Sequence, residues 1–180
     1  MNSPILNHGQ IAQVSGLVAQ YITAQRESFL PQCMALTQPE RESMHGFFSP
    51  QLLDGVRVVV LRDQRVSNPT FYAMLGQMGL RNLPDFAEMA AITFGDVVVS
   101  HEPFTNRLLF HELVHVEQYR QLGIPRFAEL YVRGFLSGGG YDGIPLEVNA
   151  YTLAARFERS PQQRFSVADD VSNWIRANRF

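Results

Sequence analysis

The stretch HELVH begins with His111 and ends with His115, four residues later, and Glu112 directly follows the first histidine. In a helix, residues four apart lie on the same face, so both imidazoles can bind a single metal ion. Glu112 is rotated by about 100° around the helix axis, where its carboxylate can reach a water molecule on that ion rather than the ion itself. The spacing therefore predicts a site for metal-assisted hydrolysis with Glu112 as general base.

A catalytic zinc ion needs a third protein ligand. Cys33 is the only cysteine of the chain, so a thiolate cluster is excluded. A glycine three positions and a histidine six positions after His115 would complete another known ligand pattern, but Gln118 and Gln121 occupy those places. A downstream carboxylate or a distant histidine is left. Glu147 is the first choice, because a glycine-rich loop before its helix can turn the chain back onto the motif.

Glu147 and the other candidate residues near the motif also have alternative roles. Glu147 in the first turn of a helix would also stabilise the helix dipole without any metal. Asp142 is the second choice of ligand, since an aspartate can do the same job, and its alternative role is that of a helix N-cap. Glu129 is the third carboxylate, and its position fits a solvated helix face better. His101, between a strand and the motif helix, could orient a substrate or an oxyanion, although a loop histidine is more often only exposed.

The first hundred residues predict two helices followed by two strands. Apolar residues at helical spacing predict a helix over residues 8–30 and a short helix over about 39–46. The β-branched run VRVVVL, residues 56–61, predicts a strand, and glycines and prolines make residues 63–90 irregular. AITFGDVVVS, residues 91–100, predicts a second strand that its glycine could bulge.

The rest of the chain is predicted to be helical. Thr105 or Asn106 can cap the motif helix, which should end at Gly123. Further helices are expected over 125–136, from Asp142–Pro145 onward with Leu146, Ala150, Leu153 and Phe157 on one face, and over 167–178, with a flexible loop at Ser137–Gly140.

Together these elements predict an α+β fold, a mostly helical single domain with a small β-sheet. The domain is expected to cover residues 1–180, in which 1–90 are a helical N-terminal part with the first strand. Residues 91–158 then supply the second strand, the motif helix and the helix that carries Glu147. The strands precede the motif helix and must help to position it.

The composition is typical of a soluble globular protein, with 46% hydrophobic and 18% charged residues. A net charge of -2 gives no reason to expect nucleic acid or an anionic membrane as a partner. The N-terminus has no secretory signal pattern, and no run approaches the ~18 apolar residues of a membrane span. The expected compartment is therefore the cytoplasm, with export that needs no cleaved signal as the alternative.

With the motif at 111–115 and the later Glu147, the chain resembles the zincin-like metallopeptidases, in particular those of gluzincin type. Over about residues 90–155, the segments AITFGDVVVS, LLFHELVHVEQYRQLG and PLEVNAY are similar to small zincin-like domains of uncharacterised bacterial proteins. The resemblance implies one zinc ion held by His111, His115 and Glu147, with Glu112 as general base.

The resemblance also implies how a substrate would bind. An extended peptide or protein segment would lie against the edge strand formed by residues 91–99 and pair with its main chain. A tyrosine hydroxyl stabilises the oxyanion in such enzymes. The candidates here are Tyr141, Tyr151 and Tyr119, and Tyr141 is preferred because the glycine loop could carry it over the site.

The chain departs from the gluzincin pattern at one position. Many gluzincins have an aspartate four residues after the ligand glutamate, where it orients a ligand histidine. Tyr151 stands at that position here, so another group must orient the histidine or the site is weak.

The expected function is that of a zinc-dependent hydrolase, namely a metallopeptidase that cleaves peptide bonds with a metal-activated water. The alternative is a non-catalytic zincin-like domain that is stabilised by its metal and binds a protein. Glu112 favours catalysis, because a purely structural metal site has no need of a base. The small size of the chain, without a recognisable substrate domain, favours the alternative.

Overall fold

A small mixed sheet supports the motif helix. Strand β1 (Arg57–Val60) runs parallel to β3 (Val97–Ser100), which is antiparallel to β2 (Ala91–Phe94). The strand order is β1-β3-β2, which makes β2 an edge strand. The computed structural model describes residues 6–180. Within them, the fold is the mostly helical α+β arrangement with a small sheet that the sequence predicts.

Residues 91–100 form a hairpin, so the prediction of a single strand over this range was wrong. Phe94 pairs with Val97, and Gly95 and Asp96 are the two turn residues between them. The φ angle of Gly95 is 68°, in the left-handed region that such turns need and that glycine adopts at little cost. Gly95 is therefore the first turn residue and not a bulge.

Helices make up most of the described residues. They are α1 (His8–Phe29), α2 (Gln38–Met44), α3 (Pro50–Gly55), α4 (Tyr72–Gln77), α5 (Asn106–Gly134), α6 (Pro145–Arg159) and α7 (Val167–Arg176). The sequence predicts α1, α2 and α7, but it predicts neither α3 nor α4. Each of these two has six residues, which is too short for a helical period to show. No helix in the described range is long and apolar enough to cross a membrane.

The motif helix α5 begins and breaks where the sequence predicts. Thr105 is its N-cap, and the Thr105 side chain accepts a hydrogen bond from the backbone N–H of Leu108. Gly123 has φ 72° and ψ 160°, which is not helical, so the chain changes direction there before the last part of α5. The motif is therefore held in the first half of α5, between a cap and a break.

The connection from α5 to α6 differs from the prediction. A π-helical turn covers Phe135–Gly139 and so extends into the range from Ser137 where a loop was expected, and a 3-10 turn covers Tyr141–Gly143. α6 then begins at Pro145, and its N-cap is Ile144 rather than Asp142. Proline at the first helical position has its φ preset and needs no N–H partner there, which explains the start of α6.

Apolar packing fixes α6 against the motif half of α5. Phe110 is fully buried, and its ring stacks on that of Phe157 with the centroids 4.4 Å apart. The face of α6 that was predicted to be apolar is buried throughout, at Leu146, Ala150, Leu153 and Phe157. Glu147 follows Leu146, so this packing carries the Glu147 carboxylate into the interior beside the motif.

Candidate metal centre

The side chains of His111, His115 and Glu147 meet in the interior between α5 and α6. The Nε2 atoms of the two histidines lie 3.1 Å apart, and Oε2 of Glu147 lies 3.4 Å from each of them. All three residues are buried, with exposed fractions between 4% and 8%. Of the carboxylates considered from the sequence, Glu147 is the one that joins the histidine pair.

The spacing of these three atoms fits a single ion. Ligand atoms at the usual zinc distances in a tetrahedral arrangement lie roughly 3.3 Å from each other. The three observed separations, 3.1, 3.4 and 3.4 Å, are close to that value. In addition, Oε2 of Glu147 is buried and has no hydrogen-bond partner among the described residues. A buried carboxylate oxygen is costly unless a cation or donor satisfies it, so these residues fit a metal ion.

The alternative carboxylates lie elsewhere. Asp142 is exposed in the 3-10 turn before α6. Glu129 accepts hydrogen bonds from Arg126 and Arg133, both at 2.8 Å, as expected on a solvated helix face. Neither belongs to the group of side chains that could share an ion with the histidines.

His101 has a structural role. Its Nε2 accepts a hydrogen bond from the backbone N–H of Val66 at 3.0 Å. The ring proton must then be on Nδ1, which donates to the backbone oxygen of Met89 at 2.6 Å. His101 therefore joins the two ends of the segment between β1 and β2, and both of its ring nitrogens are used in doing so.

Gln118 orients the ring of His115. Its Nε2 donates to the backbone oxygen of Leu146 at 3.0 Å and to Oδ1 of Asn149 at 2.9 Å. Since the Leu146 oxygen can only accept, Oε1 of Gln118 faces His115, and it lies 2.9 Å from Nδ1. Nδ1 of His115 must then carry the proton, which leaves Nε2 available as a ligand atom.

This role of Gln118 was not predicted from the sequence. From the sequence, Gln118 is notable only because it stands where another known ligand pattern has a glycine. The available signal was its position three residues after His115, which places it on the same side of the helix. The acceptors on α6 that fix its amide group could not be seen in the sequence.

His111 lacks an equivalent partner. Its Nδ1 is buried and has no hydrogen bond within the described part of the chain. Tyr151, which stands where many gluzincins have an aspartate, packs on the imidazole with the ring centroids 4.4 Å apart. The side chain at this position therefore holds His111 by packing, and it provides no hydrogen bond to Nδ1.

Glu112 is also buried, at 4% exposure. The hydroxyl of Thr93, on β2, donates to Oε2 of Glu112 at 2.7 Å. Glu112, His115 and Glu147 line the same cavity, so the expected base and two of the expected ligands face a common space. Thr93 was missed in the sequence, where its signal was a polar side chain within a buried strand.

The charges of the site stabilise one another. Burial alone would lower the pKa of His115, but the carboxylate of Glu147 raises it to about 9. Burial alone would raise the pKa of Glu147, but the charge of His115 and the contacts with both imidazoles lower it far below its usual value. Without an ion, a proton on His115 provides the positive charge that Glu147 needs, and a metal ion must displace this proton to bind.

The three tyrosines considered for the oxyanion have different surroundings. Tyr141 lines the cavity, and burial together with the charge of Glu147 raises its pKa, which keeps its hydroxyl protonated. Tyr119 is stacked on Phe127 with the ring centroids 3.7 Å apart and forms part of the cavity wall. Tyr151 is 45% exposed and covers His111 instead. Tyr131, on the second half of α5, also lines the cavity.

The edge strand borders this cavity as well. The four residues of β2, Ala91–Phe94, are among those that line it. β2 is shorter than the strand of residues 91–99 that the resemblance implied, because the hairpin turn ends it at Phe94.

Comparisons of this chain with protein-family models, with curated proteins and with solved structures find no match. The resemblance to zincin-like metallopeptidases therefore rests only on the motif, Glu147 and the sequence segments around them. The geometry of the site is the basis on which a function can be assigned.

Proposed function

We propose that this protein is a metal-dependent hydrolase, and specifically a zinc metallopeptidase that cleaves peptide bonds. His111, His115 and Glu147 would hold one ion, and two imidazoles with one carboxylate are a ligand set typical of catalytic zinc. The observation that carries the proposal is the position of Glu112, which lines the same cavity as His115 and Glu147. A base beside the ligands has a purpose in hydrolysis and none in a purely structural site.

A bound ion would supply Lewis-acid chemistry, lowering the pKa of a water molecule and polarising the scissile carbonyl. Glu112 would accept the proton of the attacking water and deliver it to the leaving amine. Thr93 would hold the carboxylate of Glu112 through the 2.7 Å hydrogen bond to Oε2. Tyr141, which remains protonated, would donate a hydrogen bond to the oxyanion.

The proposed substrate is a peptide or a segment of a protein. β2 is an edge strand and its residues border the cavity, which would let an extended segment pair with its main chain. The net charge of -2 supports neither nucleic acid nor an anionic membrane as a partner.

The test compares metal content with cleavage in three proteins. The wild-type protein should bind about one zinc ion and cleave members of a broad peptide library. Glu112→Gln should retain the ion and lose cleavage, whereas His115→Ala should lose both. Metal content that is unchanged in His115→Ala would disprove the site.

One observation favours a second candidate, a non-catalytic domain that is stabilised by its metal and binds a protein. The three proposed ligands, His111, His115 and Glu147, are all less than 9% exposed, so an ion held there would contribute directly to the stability of the buried core. In that case zinc should raise the melting temperature of wild-type protein and Glu112→Gln alike, and no member of the library should be cleaved in a Glu112-dependent way.

A further inference from the structure

We infer that the metal centre opens into an apolar pocket that takes one large uncharged group of the substrate, of the size of a leucine or phenylalanine side chain. The inference depends on the proposed function only for the bond that is cleaved. The pocket itself belongs to the protein without metal, so it can be tested separately.

The first observation is the size and position of the cavity. Its volume is about 110 Å³, and its lining includes Glu112, His115 and Glu147, which lie close together and define the metal end of the cavity. An apolar cavity of about 150 Å³ holds benzene, so this volume suits one side chain rather than a long chain. Away from the metal end, the walls are formed by apolar side chains such as Val14, Val18, Leu75, Leu80, Phe86 and Ile92.

The second observation is the lack of charge away from the metal end. The residues that line the cavity in the described structure include neither lysine, arginine nor aspartate. Apart from the three ionisable residues at the metal end, the polar groups of the lining are Thr93 and the hydroxyls of tyrosines. A charged substituent would lose its hydration there without finding a partner, whereas an apolar one gains by leaving water.

The cavity is polar at the metal centre and apolar beyond it. It therefore favours a substrate in which a polar group is followed by an apolar one. A carbonyl group fits beside Glu112, His115 and Glu147, and an apolar group fits beyond them. In a peptide, these two requirements describe a bulky apolar residue next to the scissile bond. Acidic and basic residues should be rejected at the same position.

Val18 on α1 is placed to set the depth of the pocket. It packs against the apolar cluster that contains Ile22 and Phe127, and the ring of Phe127 lies 6.2 Å from that of His115. It also packs against the separate cluster that contains Leu75 and Leu80. A larger side chain at position 18 should therefore shorten the pocket, and a smaller one should lengthen it. This gives the first half of the chain a role in choosing the substrate.

The first experiment uses metal-free protein and small aromatic probes. Toluene should raise the melting temperature, because a ligand that binds only the folded state stabilises it. Its anionic analogue benzoate should not, because its charge would meet the carboxylates of Glu112 and Glu147. Val18→Phe should abolish the effect of toluene. Ala24→Phe adds the same ring on the exposed face of α1 and should respond like wild type. No stabilisation of the wild-type protein, or equal stabilisation of Val18→Phe, would overturn the inference.

Val18→Ala provides a second test that does not depend on the folding of Val18→Phe. Val18→Ala should bind naphthalene more tightly than wild type does, because the pocket is longer. An unchanged preference between toluene and naphthalene in Val18→Ala would count against the placement of Val18.

The second experiment links the pocket to the metal centre. Zinc-loaded protein should bind 3-phenylpropanohydroxamate at least about tenfold more tightly than acetohydroxamate, and Val18→Phe should remove the difference. Equal affinities in wild type would overturn the inference while leaving the metal site intact. If neither hydroxamate binds, the proposed function fails, and the toluene experiment alone decides whether the pocket exists.

Discussion

Oε1 of Gln118 lies 2.9 Å from Nδ1 of His115, and this contact determines where the other nitrogen of the ring points. The amide group of the same glutamine is bound to Leu146 and Asn149 on α6, beside Glu147. Gln118 therefore ties the imidazole of His115 to the turn of α6 that carries Glu147. A side chain that orients one ligand from this turn should influence metal affinity without touching the metal.

The first prediction concerns this coupling. Gln118→Leu should weaken zinc binding by about 10- to 100-fold, as is typical when the group that orients a ligand histidine is removed. Gln118→Glu, which still offers an oxygen to Nδ1, should lose less. The affinity can be measured by competition with a chelating indicator.

A matched control for this prediction is available on the same helix. Gln121 also joins α5 to another helix, through hydrogen bonds with Ala168 and Ser172 of α7, but it contacts no proposed ligand. Gln121→Leu should leave zinc affinity unchanged. Equal losses in both variants would mean that Gln118 acts through general stability only.

The second prediction concerns the base. Thr93→Val removes the hydrogen bond to Glu112 and preserves the shape of the side chain. The value of kcat should fall by about tenfold with metal content unchanged, because the Glu112 carboxylate is less well oriented. Thr23→Val, on the exposed side of α1, is the control and should be fully active. Full activity of Thr93→Val would show that Thr93 does not orient Glu112.

The third prediction concerns the oxyanion. Tyr141→Phe should lower kcat by about 100-fold, the typical loss for one donor to an oxyanion, without loss of metal. Tyr119→Phe is the control, since Tyr119 lines the same cavity but is stacked on Phe127. If Tyr141→Phe is active and Tyr131→Phe is not, the oxyanion donor is Tyr131, which lines the cavity too.

The fourth prediction concerns pH and the metal-free protein. The carboxylate of Glu147 raises the pKa of His115 from 6.5 to about 9 in the folded state. A raised pKa means that the folded state holds the proton more tightly, so the added stability is complete below pH 6.5 and is lost as the pH rises through about 9. The free energy of unfolding of metal-free protein should therefore decrease over this range, as measured by urea denaturation.

Two variants and the addition of zinc test the origin of this pH dependence. Glu147→Gln removes the charge that raises the pKa of His115 and should flatten the profile. His8→Ala, at an exposed position, should leave it unchanged. Zinc should reverse the slope below about pH 9, because the ion requires the unprotonated ring of His115. The same slope in Glu147→Gln would show that other groups titrate.

Local signals made part of the site predictable. Thr105 and Gly123 mark the ends of the motif half of α5 through capping and helix-breaking chemistry, which a sequence displays directly. Glu147 was the first choice because a proline-led helix follows a glycine-rich turn. The structure brings its carboxylate to within 3.4 Å of both imidazoles.

The remaining features depend on residues that are distant in sequence. Thr93 reaches Glu112 only because β2 lies against α5, and Gln118 needs acceptors from α6 to orient its amide. Apolar periodicity alone could not distinguish the turn at Gly95 from a bulge, and the Gly95-Asp96 pair, which is typical of a two-residue hairpin turn, was not used. The cavity has walls from α1 and from the segment before β2, for which the sequence suggested no role.

The most direct test of the account is the coordination sphere of the zinc-loaded protein, measured by anomalous diffraction at the zinc absorption edge. One anomalous peak should lie about 2.0–2.2 Å from Nε2 of His111, Nε2 of His115 and a carboxylate oxygen of Glu147, on the side where Glu112 lines the cavity. A peak at other residues, or no peak at this site in protein that contains one equivalent of zinc, would contradict it.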